Sequence, residues 1–185
     1  MKILYQGSPG AYSHLAAKEL YPDAEIISCK TFDECFVKAE QDKNSRIIIP
    51  ESNRITGNIG IEYLIFKHRL NIYAEHFYRV EHYLLGIQGA KLKDIKNVYS
   101  HAQALSQCSE FIKKNNINEN VRADTAGSAA LISNNKNKND AAISSKLSAE
   151  IYKLDIIASN IENEKGNVTR FLIMGKNVFQ PEFGK

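Results

Sequence analysis

Short apolar runs alternate with amphipathic helical stretches along almost the whole chain, and few folds tolerate that alternation. Lys2–Gln6, Glu25–Ser28 and Arg46–Pro50 read as short buried strands, and Tyr12–Tyr21 and Phe32–Gln41 between them have helical spacing. Strand, helix, strand in this order predicts a mostly parallel sheet, because parallel neighbours need a crossover long enough to hold a helix. Thr31 and Glu34 stand at capping-box separation around the start of the second helix. There each can satisfy a backbone donor that would otherwise go unpaired.

A helix over Ile59–Leu70 is followed by two extended runs, Ile72–Phe77 and Arg79–Gln88, with little turn signal between them. A second α/β series then begins with strand Asn97–Ser100, helix His101–Asn115, strand Val121–Ala123 and helix Thr125–Ser133. Strand Ala141–Ser144, helix Lys146–Tyr152, the extended run Asp155–Ala158 and a last buried strand, Thr169–Met174, complete it. Two such series predict two α/β lobes. Residues 1–76 with 168–185 would form the first and 77–167 the second, with a ligand cleft between them. Clefts of this kind are common small-molecule sites, and in open α/β sheets ligands gather beyond the strand C-termini.

Composition removes several classes of function. The 185 residues carry a formal charge of +3, and the lysines are interspersed with acids, so no nucleic-acid-binding stripe is expected. No apolar run approaches membrane-spanning length, and the N-terminal strand is too brief for a signal-peptide core, so a cytoplasmic protein is expected. Cys29, Cys35 and Cys108 are odd in number and lack metal-site spacing. They read as reduced, packed thiols.

The polar motifs sit where strands end. Gly7-Ser8-Pro9-Gly10-Ala11-Tyr12-Ser13 joins the first strand to a helix. It reads either as a plain turn or as an anion site at free helix N–H groups. Asn53, in Ile49–Gly57 after the third strand, suits either a substrate contact or a turn. Ser100 and Gln103 have capping-box spacing, and Gln107 shares their helical face. Asp124 or Thr125 is a good N-cap for the next helix. In Asn167-Val168-Thr169-Arg170-Phe171 a hydroxyl, a guanidinium and a ring precede an apolar strand. A fixed cation beside a proton donor suits a small anion that must lose an oxygen.

Taken together, Gly7–Ser13, Asn53 with Gly57, Ser100–Cys108, Asp124–Ala129, Ile151–Leu154 and Asn167 with Thr169-Arg170-Phe171 resemble the catalytic domain of prephenate dehydratases over nearly the whole chain. The resemblance implies two Rossmann-like lobes with a cleft, similar to the type II periplasmic-binding-protein architecture. It also implies conversion of prephenate to phenylpyruvate by coupled loss of carbon dioxide and water in phenylalanine biosynthesis. No metal or organic cofactor is implied, and a homodimer is. Carried onto matching positions, Thr169 would help the ring hydroxyl depart and Arg170 would pair with a substrate carboxylate. Asn53, Ser100, Gln107 and Phe171 would bind and orient the substrate.

The chain departs from that pattern around its third strand. Ser52 and Arg54 replace the glutamate and serine of the usual Pro-x-Glu-Asn-Ser string, and a displaced Glu51 is not expected to compensate. Ala102 stands where a proline usually follows Ser100-His101. The family's phenylalanine-sensing regulatory domain is not expected in the few residues after the last strand. Rival readings are an arogenate dehydratase, a prephenate decarboxylase that keeps the hydroxyl, and a weakly active or inactive homologue acting as a small-anion binding module.

Overall fold

The computed structural model describes residues 1–177. The tail 178–185, assigned above to the first lobe, lies outside the described residues. The chain forms two compact units. One comprises Met1–Gly7, Ala16–Arg79 and the described residues from Val168 onward, and the other Ser8–Leu15 and Val80–Asn167.

The first unit contains β1 (Lys2–Gln6), most of α1 (Tyr12–Leu20), β2 (Glu25–Cys29), α2 (Phe32–Gln41), β3 (Ser45–Asn53), β4 (Gly57–Asn58), α3 (Glu62–His68) and β5 (Asn71–Arg79). Strands β1, β2 and β3 pair in parallel, as the helical crossovers require. The late strand, β11 (Val168–Gly175), inserts antiparallel between β3 and β5, giving the order β2-β1-β3-β11-β5 with β4 against β3. One face of this sheet buries Ile47, Ile49, Leu172 and Met174 against Cys35, Phe36 and Ala39 of α2. Alternation along a strand explains why Ile47 and Ile49 share that face.

The second unit holds β6 (Tyr83–Gly86), β7 (Asn97–His101), α4 (Ala102–Gln107), α5 (Ser109–Lys114), β8 (Asn118–Arg122) and α6 (Thr125–Asn135). It continues with β9 (Asp140–Ser144), α7 (Lys146–Tyr152) and β10 (Asp155–Ser159). Its sheet order is β10-β6-β9-β7-β8, with β7 parallel to β8 and β9, and β6 antiparallel to β9 and β10. All five residues of β9 are buried, because this central strand is covered on both faces. Ala141 and Ile143 pack with Leu105 and Ile112 on one side, and Ala142 packs with Ala129 and Ile132 on the other.

Several expectations needed correction. The boundary expected after residue 76 falls after Arg79, because β5 pairs with β11 as far as Arg79↔Val168. Ser8–Leu15 groups with the second unit, where the Gly10 carbonyl accepts from the Ser145 and Ser148 hydroxyls at 2.6 and 3.2 Å. The helix expected from Ile59 starts at Glu62, since Gly60 has φ of 83°, outside the helical region. The helix expected over His101–Asn115 breaks at Cys108. Asn163 holds the break: its Nδ2 donates to the Ser106 carbonyl and Ser109 Oγ, and its Oδ1 accepts from Glu110 N. At α2, Thr31 Oγ1 accepts from Glu34 N as expected. Glu34 returns to the Lys30 amide instead of the Thr31 amide, so the box is offset by one residue.

Candidate active site

In the first unit, β11 carries Thr169 directly opposite Asn53 of β3 and Tyr78 of β5. Asn53 Nδ2 donates to Thr169 Oγ1 at 2.9 Å. The orientation of that amide is set from its other end. Asn53 Oδ1 accepts from Ile55 N at 3.0 Å, Thr56 N at 3.2 Å and Thr56 Oγ1 at 3.3 Å. The oxygen therefore belongs to the turn and the nitrogen to Thr169. Thr169 is 7% exposed, and its hydroxyl hydrogen has no acceptor among the described residues. A hydroxyl that accepts a bond while its own proton stays available is a polarised donor.

Arg170, expected to grip substrate beside Thr169, is turned elsewhere. Successive strand residues face opposite sides of a sheet, so the side chain next to Thr169 leaves from the other face. There Arg170 Nε donates to Glu75 Oε2 at 2.7 Å and Nη1 to Glu51 Oε2 at 3.3 Å. It lines a cavity of about 430 Å³ with Glu51, Glu62, Glu75 and the apolar residues Ile65 and Leu172. Glu51 lies at an irregularity of the β3–β11 ladder. The register steps from Arg170↔Ser52 to Phe171↔Pro50, which leaves Glu51 as the extra residue of a β-bulge. Bulges re-aim side chains. The Glu51 carboxylate accepts from both Arg170 and the Ser52 hydroxyl (2.6 Å).

Phe171 is 1% exposed and belongs to the packed interior, so its ring offers no free surface for a substrate. Arg54 is exposed, its backbone N–H bonds the Val168 carbonyl, and its guanidinium has no partner among the described residues.

In the second unit, Ser100 is not the helix cap that its spacing suggested. It is the penultimate residue of β7, is fully buried, and donates its hydroxyl to the Ile143 carbonyl at 2.7 Å. The cap of α4 is His101, whose Nδ1 accepts from Gln103 N. Gln107 ends α4 in a chain of polar groups. His82 Nε2 lies 2.8 Å from Gln107 Oε1, and Asn167 Nδ2 donates to the same oxygen at 3.0 Å. His82 Nδ1 lies 2.8 Å from the Tyr12 hydroxyl, which also reaches the Glu81 carbonyl at 2.8 Å. His82 is 2% exposed, and burial pushes its pKa below the ordinary value, opposed by its bond to Gln107.

Motif reading did not single out His82. One signal was present: a polar side chain sits immediately before the apolar strand Tyr83–Gly86, as Thr169 sits at the start of its own. Two other motifs make bonds that hold the fold. Asp124 caps α6 through Gly127 N at 2.6 Å, and the Tyr152 hydroxyl donates to the Pro9 carbonyl at 2.9 Å. All three cysteines are buried and free, and burial raises their thiol pKa values. Among the described residues no helix is long and apolar enough to cross a membrane, and no His/Cys/Asp/Glu group has metal-site geometry.

Residues 3–178 match the prephenate dehydratase family profile. Arogenate dehydratase/prephenate dehydratase 1 of Arabidopsis thaliana, a chloroplastic protein, is 39% identical over 182 residues, covering 98% of this chain and 46% of its own. The prephenate dehydratase of Staphylococcus aureus superposes with a TM-score of 0.83 at 29% identity, covering 97% of this chain and 67% of its own. A structure described as a novel type of quorum quenching acylase superposes at 0.90 with 33% identity, covering 97% of this chain and 66% of its own. The chain spans about half the length of the curated relatives it matches. With the match running from the first strand past the last, this chain belongs to the prephenate dehydratase family.

Proposed function

We propose that the chain catalyses the decarboxylative dehydration of prephenate to phenylpyruvate, with Thr169 as the donor to the departing oxygen. The observation that carries this reading is the Asn53–Thr169 pair. It points the hydroxyl's lone pair at a fixed amide and leaves the hydroxyl proton without an acceptor among the described residues. Aromatisation of the ring drives the reaction, so the protein has only to orient the dianion and ease hydroxide away. A threonine hydroxyl is a weak acid at neutral pH. Its contribution is a hydrogen bond that strengthens as charge develops on oxygen, not complete proton transfer. Ser100, with its hydroxyl held by Ile143, serves by fixing the end of β7.

Purified protein supplied with prephenate, and no added metal, is expected to form phenylpyruvate, read as its enolate absorbance in alkali. Formation no faster than the spontaneous background by well-folded protein would reject the reading. Arogenate is the second substrate to assay, because curated relatives carry arogenate dehydratase names. Phenylalanine as the faster-formed product would move the assignment to that amino analogue. Acyl transfer by Thr169 is not favoured: a nucleophilic hydroxyl donates to a base, whereas this one accepts from an amide.

A cytoplasmic homodimer belongs to the same reading. Its support is the family resemblance together with the exposed apolar side chains of α3 and the edge strand β5, namely Tyr63, Phe66, Ile72 and Phe77. Light scattering should give twice the chain mass for wild type and a lower mass for Phe66→Glu. A monomeric wild type would remove the dimer from the account.

A further inference from the structure

We infer that Arg170 is a positioning residue: from the face of the sheet opposite to Thr169 it clamps the β3 bulge at Glu51, and so keeps the Asn53 amide within hydrogen-bond distance of the Thr169 hydroxyl. This role deepens the proposed function and rests on it for what Thr169 does.

Asn53 is fixed within its own turn, because Oδ1 accepts from Ile55 N, Thr56 N and Thr56 Oγ1. What must still be set is the place of that turn against β11, where Nδ2 meets Thr169 Oγ1 at 2.9 Å. On one side of Asn53 the backbone sets it: Arg54 N donates to the Val168 carbonyl at 2.9 Å. On the other side lies the bulge. A bulge leaves its extra residue outside the ladder and lets the strand bend, and Glu51 has no opposite residue on β11. The Glu51 carbonyl is engaged elsewhere, accepting from Ile59 N at 2.9 Å.

Arg170 closes that gap through side chains. Its Nε donates to Glu75 Oε2 on β5 at 2.7 Å, and its Nη1 to Glu51 Oε2 on β3 at 3.3 Å. One planar, pre-organised cation therefore spans three neighbouring strands, one residue along β11 from Thr169. Glu51 Oε2 also accepts from Ser52 Oγ at 2.6 Å, which holds the carboxylate at the bulge itself. The Arg170 and Glu51 side chains are 40% and 20% exposed, so the tie has the modest strength of a screened pair. Modest strength suffices, because a displacement of about 1 Å at a reacting group can cost a hundredfold in rate.

The direct test is the Asn53 side-chain amide, read by nitrogen–proton NMR in folded variants and assigned through its own β-protons. Wild type should show one amide proton well downfield of its twin, the mark of the bond to Thr169. Arg170→Leu and Glu51→Ala cut the tie from opposite ends, and each should shrink that separation. Glu51→Gln keeps an acceptor for Nη1 and should restore most of it. Lys67→Ala breaks a comparable exposed pair to Asp33 in the same unit and should leave it unchanged. An unmoved Asn53 amide in either tie-cutting variant overturns the inference whatever the enzyme's activity.

Kinetics then test the route of action. Arg170→Leu should lower kcat for prephenate roughly fivefold, the equivalent of about 1 kcal/mol, with KM near the wild-type value. In an Asn53→Ala background the further effect of Arg170→Leu should vanish, since the residue it acts through is gone. An unchanged kcat, or the same loss in both backgrounds, would overturn the inference. A wild type without activity toward prephenate would reject the proposed function and leave the amide measurement to decide whether Arg170 places Asn53.

Discussion

Thr169 and Arg170 are adjacent in sequence but serve different faces of one sheet, and the motif did not reveal that separation. A run of three functional side chains reads as one cluster, yet strand geometry sends the middle one away from its neighbours. The sequence identified the Asn53–Thr169 partnership as residue types. It could not give the bond direction, which depends on the turn amides that hold Asn53 Oδ1. Nor could it foresee the bond from Arg170 to Glu51, which accompanies a register slip between β3 and β11, far apart in the chain. The assignment of Arg170 carries a prediction. Its side chain is 40% exposed and paired with the exposed Glu75 and the half-buried Glu51, so Arg170→Leu should cost about 1 kcal/mol of stability after solvent screening. KM for prephenate should stay near the wild-type value. A charged hydrogen bond to substrate is worth about 1.5–3 kcal/mol, so a rise of tenfold or more in KM would return the guanidinium to substrate binding.

Elements were largely legible wherever a local signal governed them. Lys2–Gln6, Phe32–Gln41 and Lys146–Tyr152 run over the residues that periodicity marked. Asp124 caps α6 as its side chain allows. The failures occurred where a distant partner decided the outcome. Cys108 interrupts what reads as one helix because Asn163, more than fifty residues later, binds both sides of the break. His101 took the cap because Ser100 is held by Ile143 of the neighbouring strand. The capping assignment can be tested at the element where it acts. Asp124→Ala removes the acceptor for Gly127 N and should cost about 1 kcal/mol, seen as a lower urea midpoint with an unchanged m-value. An unaltered midpoint would show that the cap carries no net stability.

At the scale of the whole molecule, the alternating pattern conveyed two α/β units, and the family match assigns the chain to the prephenate dehydratases. It did not convey that the segment Ser8–Leu15 groups with Val80–Asn167, because hydroxyl-to-carbonyl bonds such as Ser145 to Gly10 leave no periodic trace. The buried polar chain of the second unit also couples global stability to pH. Burial holds folded His82 below its ordinary value of 6.5, so beneath that pH the unfolded chain binds a proton that the folded one refuses. The stabilisation is complete above about pH 6.5 and is lost as pH falls through the folded value. The melting temperature of wild type should therefore drop more steeply than that of His82→Gln between about pH 7 and pH 5, with Glu162 present in both. Parallel curves would contradict the linkage. The central claim concerns turnover, and the most direct measurement is kcat for prephenate in folded Thr169→Val beside wild type. Loss of the single donor predicts a fall of about a hundredfold or more with KM little changed. A kcat within error of wild type would mean that the departing oxygen leaves without the help of Thr169.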